Sequence, residues 1–417
     1  MLRLSRYMGA LVAAAEGRTV SPRRPSAIGP GGPTAPVVIW NLVRRCNLTC
    51  RHCYALSADK DFAGELTYDE VCTVLDDLRA YGVSVLILSG GEPLLRADIH
   101  TIARRAKDMG FYVGLSTNGT LIDHDAAIEI SAVGYDYVGV SLDGLKESHD
   151  AFRRLDGAFD LSLAGIRRCR DRGIKVGLRF TLTRDTADDL PALLDLVAEE
   201  DIEKVYLSHL NYAGRGNHNR LDDARHRLTR AALDVLFDRC LSDLRAGTGR
   251  DYVTGNNDAD GAYLYLWARK WFPEQADLLP PMLNRWGGNA SGVNVANIDN
   301  VGNVHPDTMW WNHTFGNVRE RPFSALWEDV SDPLLAGLKQ RPRAVTGRCG
   351  DCRFLTMCNG NTRTRAFQLT GDAWAEDPGC YLTDEEIGVL PGADRVAVTA
   401  FGTGPRRPRV AAAQGIL

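Results

Sequence analysis

The sequence predicts an α/β protein: a (β/α)6 partial TIM barrel followed by a smaller α+β domain. Six apolar, β-branched runs recur between residues 37 and 210, helical patterns fill the gaps between them, and glycines stand where helices hand over to strands. Runs that are apolar throughout fit strands buried on both faces, as in a parallel sheet. Strand–helix alternation repeated six times builds a partial barrel.

The 417 residues suffice for such a barrel with an appendage. The opening MLRLSRYMGALVAAAEG places a short apolar stretch after basic residues, but Glu16 and Arg18 break it and no cleavage pattern follows. It reads as a short helix rather than an export signal. Residues 19–36 are rich in Pro and Gly and read as a linker, so residues 1–36 form an N-terminal extension. Strands are expected at 37–43, 83–89, 111–116, 135–141, 175–182 and 204–210. Thr67 with Glu70 three positions later predicts a capping box, and Val71, Val74, Leu75 and Leu78 continue that helix. Gly82, Gly110, Gly134 and Gly173 are expected as left-handed C-terminal caps.

The barrel is expected to span residues 37–250. Residues 251–292, rich in Asn, Asp, Gly and Trp, read as an irregular connecting segment. From 293 to 390 the segments are short, with GNV at 302–304 and 316–318 marking hairpin turns, which predicts the second domain. Residues 391–417 read as a poorly ordered tail.

A net charge of −4 and a pI near 6.2 provide no bulk attraction to nucleic acid or to an anionic membrane. No apolar run reaches the length of a spanning helix, and a cytoplasmic location is expected. Seven of the ten cysteines fall into two tight groups. In a long chain without an export signal such groups more often bind metal than pair as disulfides. Cys72, Cys169 and Cys240 stand alone on helical patterns and are expected to pack.

Cys46, Cys50 and Cys53 offer three thiolates within eight positions, directly after the first strand. Soft sulfur donors suit iron–sulfur or zinc. A four-iron cubane held by three cysteines leaves one iron open to another ligand. A zinc site completed by His52, or a cysteine-rich turn without metal, fits the same spacing.

The residues that follow resemble the radical S-adenosylmethionine (SAM) superfamily over roughly 37–215. The family pattern Cys-x3-Cys-x-aromatic-Cys is met with His52 in the aromatic slot, and SGGEP at 89–93 matches the family's Gly-Gly-Glu motif. The resemblance implies a [4Fe–4S] cluster on Cys46, Cys50 and Cys53 whose fourth iron is chelated by SAM. Gly90 and Gly91 would let backbone approach SAM, and Glu92 could accept from its amino group. Asn118 in STNGT would help line the SAM pocket. Ser141 in SLDG and Arg153 in HDAFRR would bind its carboxylate; without the family, Arg153 would read as a solvated helix residue. An electron donor such as ferredoxin or flavodoxin is also implied.

Cys349-x2-Cys352-x5-Cys358, with Cys380 further on, is a four-thiolate set that zinc would also accept. It resembles the auxiliary-cluster domain called SPASM, or its shorter form, twitch. Asn289 and Asp307 stand where earlier ligands of a seven-cysteine domain would fall. One auxiliary [4Fe–4S] cluster is therefore expected, two clusters in all.

The wording of residues 36–67 and 289–318 further resembles the branch of the superfamily that works in heme d1 biosynthesis. That implies a tetrapyrrole substrate, 12,18-didecarboxysiroheme, from which two propionate side chains are removed by way of a 5′-deoxyadenosyl radical. Oxidative decarboxylation of iron-coproporphyrin propionates, as in heme synthases, is the nearest alternative. A peptide maturase and a non-catalytic zinc or iron–sulfur scaffold are the others. YLYLWARKWF (263–272) and MWWNH (309–313) could pack on a flat ring system or could be core. Arg179, Arg184 and Arg215 could pair with substrate carboxylates, and His209 could face the substrate.

Overall fold

The computed structural model describes residues 1–18 and 35–389. Most of the expected linker (19–36) and the expected tail (391–417) lie outside the described residues. The strands are β1 Leu2–Arg3, β2 Val37–Val43, β3 Val85–Gly90, β4 Tyr112–Thr117, β5 Tyr137–Ser141, β6 Val176–Leu182, β7 Lys204–His209, β8 Asp251–Gly255, β9 Val295–Ile298 and β10 Val304–His305. They form one sheet in the order β1-β8-β7-β6-β5-β4-β3-β2-β9-β10. Neighbours from β8 through to β9 run parallel, while β1 and β10 cap the two edges antiparallel.

All six expected strands are present, within two residues of their expected bounds. The expected capping box joins Glu70 N–H to Thr67 Oγ1 (3.3 Å) and Thr67 N–H to Glu70 Oε2 (2.8 Å). The four expected cap glycines all have positive φ, from +69° to +96°. Two parallel strands were not foreseen. The reading of 251–292 as irregular is corrected: it holds β8 and the helices Ala259–Trp271 and Leu279–Trp286. Five residues of β8 are too short a run to stand out beside the Asn/Asp-rich stretch that follows. The expected boundary at 292/293 falls just before β9, which pairs with the first barrel strand.

Helices α1 Leu4–Ala15, α2 Tyr68–Tyr81, α3 Ile99–Asp108, α4 His124–Val133, α5 Lys146–Arg153, α6 Ala158–Arg170, α7 Leu190–Glu199, α8 Gly214–His218 and α9 His226–Ala246 accompany the strands. Apart from α8, which sits at the end of β7 against the cysteine loop, they cover one face of the sheet. Trp40, Leu88, Leu115, Val140, Leu178 and Leu207 point into that layer and are at most 1% exposed. Emptying one of the leucine sites to Ala would cost roughly 2–5 kcal/mol. The alternate residues Ile39, Ile87, Ser116, Ser141, Arg179, Tyr206 and Ser208 are only partly buried, because they line the concave inner face. Cys169 and Cys240 are fully buried in α6 and α9, as expected, and Cys72 is half-buried in α2.

Candidate active site

β2 delivers the cysteine loop at its C-terminal end. Cys46 N–H bonds Ala58 O (3.1 Å), while Leu48 N–H and Ser57 N–H point at the sulfurs of Cys46 and Cys53 (3.4 Å each). Cys46 and Cys50 are buried with Leu48 in a small apolar cluster apart from the main core. Burial pushes the Cys46 thiol up to about 12 and raises Cys50 as well. Such thiols stay protonated until a metal displaces the proton.

The Gly-Gly-Glu loop at the end of β3 is stitched to the chain just before Cys46. Gly91 N–H donates to Val43 O (2.6 Å) and Glu92 N–H to Arg45 O (2.9 Å). A Cβ at Gly90 or Gly91 would run into the carbonyl oxygens of Val43 and Arg45, so this approach requires glycine. Glu92 is fully buried, and its carboxylate is occupied by protein donors. Thr117 Oγ1 (2.7 Å), Asn118 N–H (2.8 Å) and Leu94 N–H (3.1 Å) bond to it. It ties β3 to β4. Asn118 bonds Asn47 Oδ1 (2.9 Å) and faces Cys46 Sγ at 3.8 Å, so it reaches the cysteine loop directly.

Arg153, the last residue of α5, is buried rather than solvated. It forms an ion pair with Asp143, which is 0% exposed, and its Nη1 lies 3.6 Å from Cys50 Sγ. Burial opposes its charge, but Asp143 and the Cys50 sulfur outweigh it and hold the guanidinium more firmly protonated. Asp143 N–H donates to His149 Nδ1 (2.9 Å), and burial with Arg153 nearby pulls His149 down to about 4. His52 stacks on Phe152 (4.5 Å, 8° between planes), its Nδ1 buried without a partner. Ser141 ends β5 in register with Arg179.

The segment 211–219 clamps the same loop, which sequence reasoning missed. Arg215 N–H donates to Cys53 O (2.9 Å), and its guanidinium to Cys50 O (2.7 Å) and Ser57 O (3.0 Å). Asn219 Nδ2 holds Arg51 O at 2.7 Å. Gly214, at φ +51°, packs so closely on the Cys53 and Tyr54 carbonyls that a Cβ would overlap them. The signal available was the GRG spacing after the last strand. Arg215 is thus spent on carbonyls, and exposed Arg184 pairs with Asp185 and Asp222.

Cys349, Cys352, Cys358 and Cys380 line one cavity, with Arg348, Phe354 and Ala262 among its walls. Among the described residues no three ligating side chains converge on an ion-sized point; the four thiols surround a space. Burial pushes Cys349 up to about 11 and raises the other three. Asn289 and Asp307 join a buried polar network. Asn289 Oδ1 accepts from Arg343 (2.8 Å), Asn289 Nδ2 donates to Asp258 (2.8 Å), and Asp307 Oδ1 accepts Met309 N–H (2.7 Å).

The helix Ala259–Trp271 buries Tyr263 and Trp267 against Phe237, so most of that aromatic stretch is core, while Trp271 at its end is 58% exposed. Trp310 is core too, whereas Trp311 stands edge-on to Tyr54 (6.1 Å) beside the cysteine loop, under Arg44 (5.5 Å). His209 is buried, with Nε2 3.0 Å from Asp260, whose other oxygen accepts from Tyr381 (2.8 Å). It is a packed histidine held by a carboxylate, one that bridges β7 to the residue after Cys380.

A parallel partial barrel whose first strand presents three cysteines, braced by a Gly-Gly-Glu loop, defines a radical SAM core. The chain belongs to the radical SAM superfamily, whose pattern matches residues 40–197. It is 51% identical over 403 residues to the pre-heme d1 synthase of Dinoroseobacter shibae, covering 96% of this chain and 97% of that one. It is 45% identical to the Fe-coproporphyrin III synthase of Methanosarcina barkeri, over 85% and 89% of the two chains. In fold it resembles Streptococcus suis SuiB bound to its precursor peptide, with a TM-score of 0.67, 17% identity and coverage of 84% and 77%.

Proposed function

We propose that the chain is a radical SAM enzyme of heme d1 biosynthesis, which removes two propionate side chains from 12,18-didecarboxysiroheme to give a heme d1 precursor. The observation that carries this reading is 51% identity to a pre-heme d1 synthase over nearly the whole of both chains. It extends through the barrel, the cysteine loop and the four-thiol cavity alike.

Cys46, Cys50 and Cys53 hold a [4Fe–4S] cluster; the loop's buried thiols and its sulfur-directed N–H groups fit one. With SAM bound, such a cluster would supply one-electron chemistry that generates a 5′-deoxyadenosyl radical. The chain's own residues prepare the place. Glu92 locks β3 to β4, Arg215 fixes the loop carbonyls, and Arg153 sets a positive charge against the Cys50 sulfur. Gly90 and Gly91 expose backbone to SAM beside Asn118 and Ser141, and His52 packs the loop on Phe152. The four-thiol cavity takes the auxiliary [4Fe–4S] cluster. A ferredoxin or flavodoxin supplies electrons in the cytoplasm. Among the described residues no helix is long and apolar enough to cross a membrane.

The 45% relative favours a second reading, in which the product is Fe-coproporphyrin III. Anaerobic turnover of the reconstituted protein with SAM, dithionite and 12,18-didecarboxysiroheme decides. Mass spectrometry should find 5′-deoxyadenosine together with a tetrapyrrole lighter by propionate. Deoxyadenosine with Fe-coproporphyrin III instead would establish the second reading, and an unchanged tetrapyrrole would overturn both.

A further inference from the structure

We propose that Arg179 is a carboxylate-binding residue of the barrel's inner face, holding a carboxylate of one of two ligands, SAM or the tetrapyrrole substrate. The proposal rests on the functional reading above only for the identity of the second ligand, a tetrapyrrole bearing several carboxylates; the first, SAM, bears one.

Arg179 lies on the inner face of β6 between buried Leu178 and Phe180, and is itself only partly buried. Its side chain crosses the intervening strand β5 and donates to Ser116 Oγ on β4. Gly139 opens that path, since a Cβ there would meet Arg179 Cδ at 3.1 Å. The guanidinium also lies over the Tyr206 ring at 5.4 Å, which fixes its plane. A guanidinium carries five N–H donors, and Ser116 takes one nitrogen.

Among the described residues Arg179 pairs with no carboxylate. Of the arginines near the cysteine loop, Arg44 gives Nε to Ala55 O (2.9 Å) and also pairs with no carboxylate, while three others are already spent. Arg153 holds Asp143, Arg51 holds Asp185 and Asp222, and Arg215 holds backbone carbonyls. Lys204, on the same inner face, has Asp251 at 3.9 Å. A half-buried cation left without a counter-charge is costly, and a planar fork on the concave inner face matches a carboxylate in two-point geometry. Arg179 also stands in register with Ser141 on β5.

The test is equilibrium titration of reconstituted wild type, Arg179→Gln and Arg179→Lys with SAM and, separately, with 12,18-didecarboxysiroheme. Iron content and circular dichroism serve as controls. Arg179→Gln should weaken one ligand at least roughly tenfold, the scale of a lost charged hydrogen bond. The other ligand should move less than about twofold, and Arg179→Lys should recover part of the loss. The ligand that moves identifies the carboxylate's source. Unchanged affinity for both, at native iron content, would overturn the proposal. Should Arg179→Gln load iron poorly, the Lys variant decides alone, since a point charge cannot reproduce the two-point contact. A wild type that ignores the tetrapyrrole would sink the functional reading, and the SAM titration would still judge Arg179.

Discussion

At the scale of single residues, the site depends on charges held in places where charge is expensive. Asp143 is fully buried and depends on Arg153, so Arg153→Gln strands a carboxylate in the interior. A broken buried pair costs about 3–5 kcal/mol. Chemical denaturation should show a loss of that size, with Asp143→Asn in the same chain restoring most of it; a loss under 1 kcal/mol would mean the pair is solvated. His149 yields a pH prediction. Its Nδ1 accepts the Asp143 N–H, which a protonated ring could not do. With the folded value lowered to about 4 from 6.5, the unfolded chain takes up a proton that the folded chain refuses. Stability from this residue is therefore full above pH 6.5 and is lost as pH falls towards 4. Unfolding midpoints of wild type and His149→Phe between pH 4 and 7 should differ in slope; parallel curves would refute it. Neither role was legible in the sequence. Arg153 reads as solvent-facing in an eight-residue helix, and only the fold brings Asp143, ten positions earlier, beneath it.

At the scale of elements, what could be read followed from contiguous pattern. Six strands are largely apolar runs, and their bounds were readable within two residues because the face under the helices needs an apolar side chain at every second position, although the inner face carries Ser116, Ser141, Arg179 and Ser208. β8 and β9 were hidden for the opposite reason. They are short, lie beyond the regular rhythm, and join the sheet through long-range pairing with β7 and β2 that no local pattern announces. The cysteine spacing was legible because ligands of one cluster must lie close in the chain. Its clamp, 211–219, lies about 160 residues away and was not. That clamp carries its own prediction. Gly214→Ala forces a methyl against the Cys53 and Tyr54 carbonyls at positive φ, whereas Gly247→Ala, also at positive φ, meets nothing within 4 Å. Both should lose about 1 kcal/mol for the backbone strain. Only Gly214→Ala should lower the iron held by the Cys46 loop and slow SAM cleavage at least tenfold. Equal iron in the two variants would show that the clamp does not shape the loop.

At the scale of the whole molecule, the two cysteine sets are held by different parts of one sheet-based framework and should be separable. The Cys46 loop is supported by β2, β3 and the 211–219 clamp. The four-thiol cavity is walled by the segments around 349–358 and 380–387, with the helix Ala259–Trp271 behind it. Buried His209, Asp260 and Tyr381 link the end of β7, just before the clamp, to the residue beside Cys380. Replacing Cys46, Cys50 and Cys53 by Ala should therefore remove about four of about eight irons and abolish SAM cleavage, while the second cluster's absorbance and EPR signal persist. Replacing Cys349, Cys352 and Cys358 should remove the other half. In that variant deoxyadenosine should still form, because among the described residues none that line the cavity belongs to the Cys46 loop, but propionate loss from the tetrapyrrole should fall at least tenfold relative to deoxyadenosine. A cavity built for zinc would change this pattern in a readable way. The first variant would then carry about one zinc and no residual iron signal, and the second would retain all the iron of the wild type.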